Sequence, residues 1–118
     1  MEYKSIARFV RYSPYKLRPI ADVIRGKDVP EALSWLTVHI NKRVVPIKKV
    51  VESAIANAKQ HDNCQPADLI VREIRIDEGP SFSYFRAGAM GRAQTQCRRM
   101  SHIQVILENV QSATNKEV

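Results

Sequence analysis

Few side chains in this sequence have the types and spacing that acid–base or nucleophilic chemistry needs. Ser101 precedes His102 like a nucleophile beside its base, and Asp77 precedes Glu78 like an acid–base pair. Neighbouring strand residues point to opposite faces, so Ser101 and His102 do not readily form the required hydrogen bond, and a polar contact is expected instead. The two carboxylates come just before Gly-Pro at 79–80, where turn chemistry is favoured. We therefore predict no catalytic residue and no enzyme.

Metal and cofactor binding are also poorly supported. The histidines lack H-x-x-H or H-E-x-x-H spacing, and the cysteines form no C-x-x-C pair, which leaves no plausible zinc set. The residues concerned are His39, His61, His102, Cys64 and Cys97. Gly88-x-x-Gly91 lacks the Lys and Ser/Thr of a phosphate-binding loop, so it indicates only a flexible turn. We expect two free thiols, no metal and no cofactor.

With catalysis and metal binding poorly supported, the excess of cationic side chains is the main indication of function. Lys and Arg number 19 against 12 Asp and Glu, a net charge of +7 over 118 residues. Residues 1–27 hold seven cations and two acids, and no acid lies between Glu78 and Glu108, where four arginines lie. A surface that only needs solubility usually intersperses the two signs. The segregation therefore indicates two basic surfaces facing a polyanion such as RNA or DNA.

The sequence indicates neither a membrane span nor a secretory leader. There is no apolar run near 18 residues, and the first ten residues lack the long apolar core of a signal peptide. We expect a protein of the cytosol, or of an organelle that encodes it, without a membrane partner.

The basic N-terminal part predicts a strand and a helix. Residues 3–11 suit a strand, and Ser13 followed by Pro14 suits a helix start with a hydroxyl cap. Gly26 supplies a stop. Pro19 lacks a backbone N–H, so we expect either a kink there or a short turn at 14–18 with a helix restarting near Pro19.

Two more helices follow. Residues 28–40 suit a helix that Asp28 can cap, with Trp35 closing the core from its edge. The next helix is the clearest, because apolar residues recur at i, i+3, i+4, i+7, i+8 and i+11: Ile47, Val50, Val51, Ala54, Ile55 and Ala58. Pro46 falls in its first turn, and the small residues Ser53, Ala54, Ala56 and Ala58 allow close approach of a neighbour. The polar stretch 61–66 ends it.

Two β-rich segments, 69–76 and 103–107, enclose a long connection. If 77–102 folds back around Gly88, each arm has about a dozen residues and is on the order of 40 Å long. A bare two-stranded hairpin is marginal in water, and its arginines and missing acids indicate RNA or DNA as the partner. Tyr84 and Phe85 suit either base stacking or cross-strand pairing. Residues 111–118 suit a frayed tail.

Six stretches of the sequence are together specific enough to indicate a family. They are 11–18 (RYSPYKLR), 22–27 (DVIRGK), 52–58 (ESAIANA), 77–80 (DEGP), 91–93 (GRA) and 98–103 (RRMSHI). In this order and spacing, over residues 6 to 107, the chain resembles the large-subunit ribosomal protein twenty-two family. The resemblance implies an α+β fold within a single domain, 1–118. Three helices would pack on a three-stranded antiparallel sheet, with a long extended β-hairpin at about 77–102.

The resemblance also implies a function and a set of contacts. The chain would be a structural constituent of the large ribosomal subunit that binds rRNA and supports assembly. Its hairpin would line the nascent-peptide exit tunnel. The partners would be large-subunit rRNA, neighbouring large-subunit ribosomal proteins and the nascent peptide. The implied rRNA-binding residues are Arg11, Lys16, Arg18, Arg25 and Lys27 on the globular part and Arg86, Arg92, Arg98, Arg99 and His102 on the hairpin.

The tip of the hairpin departs from the family pattern. The implied tunnel residues are Phe85, Arg86, Ala87, Gly88, Ala89, Met90 and Gly91. The family usually carries Lys-Arg where Ser83 and Tyr84 stand, and often Pro-Arg-Ala where 87–89 reads Ala-Gly-Ala. We expect Arg92, Arg98 and Arg99 to carry most of the hairpin's affinity, because no acid surrounds them.

Two other classes of function stay open at this point. A free-standing nucleic-acid-binding regulator would need a recognition helix rich in Arg, Asn and Gln at its start. The third predicted helix has Lys48 and Lys49 but is otherwise small and apolar. An enzyme acting on nucleic acid would need a carboxylate cluster for a metal or an acid–base pair, whereas the acids here are scattered or fall in turns.

Overall fold

The computed structural model describes residues 2–39 and 41–109. The predicted tail at 111–118 and the predicted helix end at 40 lie outside these residues. The elements, in chain order, are β1 (Glu2–Val10), α1 (Pro14–Ile24), α2 (Val29–Val38), α3 (Val44–Asp62), β2 (Leu69–Ala87) and β3 (Ala93–Asn109). Short 3-10 turns at Pro66–Asp68 and Ala89–Gly91 precede β2 and β3. Within the described ranges, no helix is both long and apolar enough to cross a membrane.

The strands form one antiparallel sheet in the order β1-β3-β2. Its central strand alternates as predicted: Ile103, Val105 and Leu107 are buried, and the residues between them are half-buried. The buried side chains belong to the same core as those of the three helices, which therefore cover one face of the sheet. The predicted α+β fold, three helices on a three-stranded sheet, is confirmed.

Helix α1 differs from its prediction at Pro19. The helix is continuous over Pro14–Ile24, with Pro19 inside it, so the expected restart near Pro19 is wrong, whereas the alternative, a kink at Pro19, stays a prediction. Leu17 precedes the proline and Ile20 and Ile24 follow it, and all three are buried. Tertiary packing on both sides of Pro19 therefore offsets the one helical hydrogen bond that the ring removes.

The caps of α1 and α2 also differ from expectation. Ser13 and Asp28 occupy the N-cap positions, but neither side chain makes a capping hydrogen bond. The Ser13 carbonyl instead accepts from the Lys16 and Leu17 N–H groups. Gly26 does end the α1 segment, with φ of 80°, a conformation that a Cβ disfavours.

Helix α3 packs against the sheet through the apolar stripe that was predicted from the sequence. The apolar residues at the predicted spacing are buried, and Pro46 stands in the first turn as expected. Of the four small residues, Ala54 and Ala58 are fully buried, whereas Ser53 and Ala56 face outward. Trp35 of α2 is half-buried at the edge of the core, as predicted.

Strands β2 and β3 continue past the helices as a hairpin, and the molecule measures 70 × 25 × 24 Å. The pairing runs from Ser81 opposite Arg99 to Ala87 opposite Ala93, and the chain reverses after Gly88, whose N–H donates to the Arg92 carbonyl. The pairing shifts register next to Gly79, at the base of the hairpin. A Cβ at Gly79 would lie 3.2 Å from the Met100 backbone, so a side chain at this position would push the two strands apart by a few tenths of an ångström.

A buried tyrosine joins the start of β1 to the end of α3. The Tyr3 hydroxyl donates to the Asp62 carboxylate and lies 3.3 Å from the Cys64 sulfur. Burial, followed by the hydrogen bonds to Asp62 and Cys64, raises the pKa of Tyr3 well above its usual value of 10.0. The neutral phenol is therefore favoured in the folded state.

This tyrosine is expected to make stability depend on alkaline pH. A folded-state pKa above the unfolded one contributes stability that is complete below pH 10.0 and is lost as the pH rises further toward the folded value. Within that window the loss approaches about 1.4 kcal/mol per pH unit. The measurement is urea unfolding of the wild type, Tyr3→Phe and the exposed control Tyr15→Phe at neutral pH and above 10. An equal alkaline decline in all three would contradict the assignment.

Candidate nucleic-acid interface

A basic cleft lies where β3 leaves the globular part and passes the β1–α1 turn. It consists of two adjoining hollows of about 170 and 430 Å³ that share Arg11, Arg98 and Arg99. The remaining lining residues are Ser13, Lys16, Cys97 and Met100. The structure thus brings together four of the predicted rRNA-binding residues, from segments more than eighty positions apart in the sequence.

Sheet pairing and one buried hydroxyl hold the two sides of the cleft together. Val10 pairs with Ser101, which places Arg11 beside the β3 residues that precede Ser101. The Ser101 side chain is fully buried, and its hydroxyl donates to the Tyr12 carbonyl over 2.6 Å. Ser101 is therefore a structural polar contact between β3 and the β1–α1 turn. Its adjacency to a histidine in the sequence has no nucleophilic meaning here.

Tyr15 aligns two of the arginines. The guanidinium carbons of Arg18 and Arg99 each lie 5.3 Å from the centre of the Tyr15 ring, within the range of cation–π attraction. The ring is 59% exposed, so it is not a core residue. Tyr15 was not among the residues predicted from the sequence; the signal that could have found it is an aromatic residue between cations in the stretch 11–18.

Arg18 and Arg25, both predicted to bind rRNA, also connect α1 to β2. Arg18 donates to the Ile76 carbonyl over 3.3 Å, and Arg25 donates to the Ile74 carbonyl over 2.9 Å. Arg25 also pairs with Asp22 over 2.6 Å, which neutralises part of its charge. Both side chains are partly exposed and keep further N–H donors. Their structural role was not evident from the sequence, because the acceptors are backbone carbonyls distant along the chain.

Other predicted contacts lie away from the cleft. Lys27 stands in the turn after α1, half-buried. Arg92 is exposed just past the hairpin reversal, roughly 20 Å along the strand from Arg98. In the predicted tip, Met90 is 100% exposed and Phe85 is 78% exposed. The side chains of Tyr84, Arg86 and Ala89 lie outside the described part of the structure.

His102 makes an internal contact on the other side of β3 from Ser101. Its Nδ1 accepts a hydrogen bond from the Phe9 N–H over 3.2 Å, so the ring proton of the neutral form is on Nε2. The Phe9 and His102 rings meet edge to face, with centroids 5.2 Å apart. His102 therefore supports the end of β1.

The arginines on the outer face of the sheet differ from those of the cleft because they are paired with carboxylates. Arg72 pairs with Glu2 and with Glu108, the latter over 3.9 Å. Arg75 lies 3.9 Å from the Glu73 carboxylate and 3.6 Å from that of Asp77. These cations are offset by neighbouring carboxylates, whereas the described residues that line the basic cleft include no acid. Among the residues that the structure describes, no cluster of His, Cys, Asp and Glu could hold a metal ion.

Comparison with known proteins gives consistent matches over most of the chain. A family model described as ribosomal protein L22p/L17e matches residues 5–108. The chain is 45% identical to the large ribosomal subunit protein uL22 of Desulforamulus reducens over 109 residues, covering 92% of this chain and 96% of the relative. It is 46% identical over 108 residues to the protein of the same name from Syntrophomonas wolfei, covering 91% and 95% of the two chains.

Proposed function

We propose that the basic cleft binds rRNA. The chain belongs to the ribosomal protein L22p/L17e family and is a structural constituent of the large ribosomal subunit. It is not an enzyme, and it works in the cytoplasm as part of the ribosome, with rRNA and other ribosomal proteins as partners. The observation that carries the cleft's role is the convergence of Arg11, Lys16, Arg98 and Arg99 on one hollow, which has no acid among its described lining residues.

The mechanism is phosphate neutralisation by an organised set of cations. Each phosphate that enters the cleft releases condensed counterions, which drives binding at low salt. Arginine suits this role because its planar fork donates two parallel hydrogen bonds to phosphate. Arg99 is held against Tyr15, so less side-chain freedom is lost on binding. Specificity comes from the shape of folded RNA, since its base edges are largely inaccessible.

The remaining predicted residues extend the contact surface in two directions. Arg18 and Arg25 bind RNA through the guanidinium N–H groups that do not donate to carbonyls of β2, and Lys27 adds positive charge beside them. Arg86 and Arg92 bind RNA along the hairpin, and His102, whose Nδ1 accepts from the Phe9 N–H, contacts RNA at the base of the hairpin through its Nε2. The hairpin penetrates the subunit, and its tip, 85–91, lines the exit tunnel and meets the nascent peptide. The exposed Phe85 and Met90 support this placement, because the globular part covers neither.

Sedimentation tests the proposal. A tagged copy in a bacterial lysate is expected to comigrate with large subunits on a sucrose gradient after a high-salt wash, because rRNA surrounds the hairpin and many contacts must break together. The matched control is a tagged copy in which residues 82–97 are replaced by a short turn. It keeps Arg98 and Arg99 of the cleft and is expected to wash off more readily. Release of the intact chain to the top of the gradient would indicate a free-standing nucleic-acid-binding regulator instead.

A further inference from the structure

Phe9 has a conformation that is unusual for its side chain. Its φ is 59°, in the left-handed region that bulky residues rarely adopt, and its ring is 59% exposed. Glycine or asparagine would adopt this backbone at lower cost. An exposed aromatic ring gains little from burial, so neither backbone preference nor the core accounts for phenylalanine here.

A bulge in β1 creates this conformation, and His102 holds it. The register of β1 against β3 shifts between Ala7 and Val10, which turns Phe9 out of the regular ladder. The Phe9 N–H, freed from the ladder, donates to the Nδ1 of His102, and the two rings meet at an angle of 87°. The hydrogen bond thus fixes the Phe9 backbone and the edge contact orients its ring, while the residue stays 59% exposed.

Strand periodicity relates the position of the Phe9 ring to the basic cleft. On β3, Arg98, Met100 and His102 share one face, because alternate strand residues point the same way. His102 contacts Phe9, and Met100, about 7 Å further along the strand, lines the cleft. In the sequence Phe9 directly follows Arg8 and lies two residues before Arg11, which also lines the cleft. A nucleotide chain whose phosphate occupies the cleft can therefore place a base on Phe9.

We propose that Phe9 is a stacking platform for one unpaired base of the RNA bound in the basic cleft. This inference rests on the proposed function, because the arginines must first bring a phosphate to the cleft. Unstacked bases in RNA loops and bulges readily pack on exposed aromatic rings, without requiring a particular base. Tyr15 is a poorer platform, since Arg18 and Arg99 already lie over its ring.

The variant Phe9→Gly distinguishes a base-stacking role of the Phe9 ring from a role in the stability of the fold. Glycine relieves the left-handed backbone, so the unfolding temperature is expected to stay the same or rise, while RNA binding weakens by about tenfold. Phe9→Leu is expected to weaken binding similarly, and Phe9→Tyr to retain it. The probe is a short single-stranded oligoribonucleotide containing one adenine analogue whose fluorescence falls on stacking. Titrations use the full-length chain, with Val38→Ala as a control for loss of exposed apolar surface on α2.

The result that overturns the inference is wild-type affinity and wild-type fluorescence quenching in both Phe9→Gly and Phe9→Leu. An Arg98→Ala, Arg99→Ala double variant distinguishes this from failure of the proposed function. If that variant binds less tightly and with a shallower salt dependence while the Phe9 variants behave as wild type, the cleft binds phosphate and only the stacking is wrong. If the arginine variant is also unchanged, the cleft itself is not the RNA site.

Discussion

Replacing Arg11, Arg98 and Arg99 together with alanine is expected to weaken binding to large-subunit rRNA about a hundredfold at low salt. Each phosphate contact contributes about 1 kcal/mol net, and each 1.4 kcal/mol changes affinity tenfold. The slope of log affinity against log salt is expected to become shallower by roughly 2 to 3, because three fewer counterions are displaced. Filter binding to rRNA at several salt concentrations measures both quantities.

The matched control for this variant is the pair of arginines on the outer face of the sheet. Arg72 and Arg75 each lie near two carboxylates, so Arg72→Ala with Arg75→Ala removes cations that are already offset. Their loss is expected to leave affinity within about twofold and the salt slope unchanged. If the control weakened binding as much as the cleft variant, total charge rather than the cleft would determine affinity.

The three arginines replaced in the cleft variant follow from the structure and differ from those expected from the sequence. The sequence grouped Arg92 with Arg98 and Arg99 because all three lie in the acid-free stretch. The fold places Arg92 near the hairpin reversal and puts Arg11, from the far end of the sequence, beside the other two. The contribution of Arg92 to affinity stays a prediction, and it is expected only where RNA surrounds the hairpin.

Ile103→Ala is expected to lower the free energy of unfolding by about 2 to 5 kcal/mol, the largest stability change foreseen for one substitution here. Ile103 is 0% exposed on the central strand, in the core that the helices share with the sheet. Truncation leaves a cavity that rigid neighbours on both sides cannot fill. Since domains of this size have only about 5 to 15 kcal/mol of stability, a large part of it is lost.

Urea unfolding followed by circular dichroism measures this effect against a control on the same strand. Ile106 lies on the opposite face of β3 and is only half-buried, so Ile106→Ala is expected to cost less than about 1.5 kcal/mol. Where Ile103→Ala fails to fold, Ile103→Val still reports the site, with an expected loss of about 0.5 to 1.5 kcal/mol. The same truncation on the outer face, Ile106→Val, is expected to cost clearly less than Ile103→Val. Equal losses for these two valine variants would mean that the two faces of the sheet are not energetically distinct.

The sequence by itself predicted the elements that depend on local periodicity and on residues with special backbone geometry. The stripe from Ile47 to Ala58 predicted α3, and the alternation from 103 to 107 predicted β3, because both patterns record which face of an element meets the core. Gly88 predicted the hairpin reversal and Gly26 the end of α1. The charge distribution and the six motifs predicted the class of partner and the family.

Only the tertiary structure decided how residues distant in sequence combine. Pro19 is tolerated because packing on both sides holds α1 together, which local helix rules do not describe. Arg18 and Arg25 connect to backbone carbonyls of β2, and backbone acceptors leave no trace in the residue types. The left-handed Phe9 arises from a register shift between two strands. Strand register, close approach and the lining of a cleft all depend on long-range contacts, so composition and spacing could not predict them.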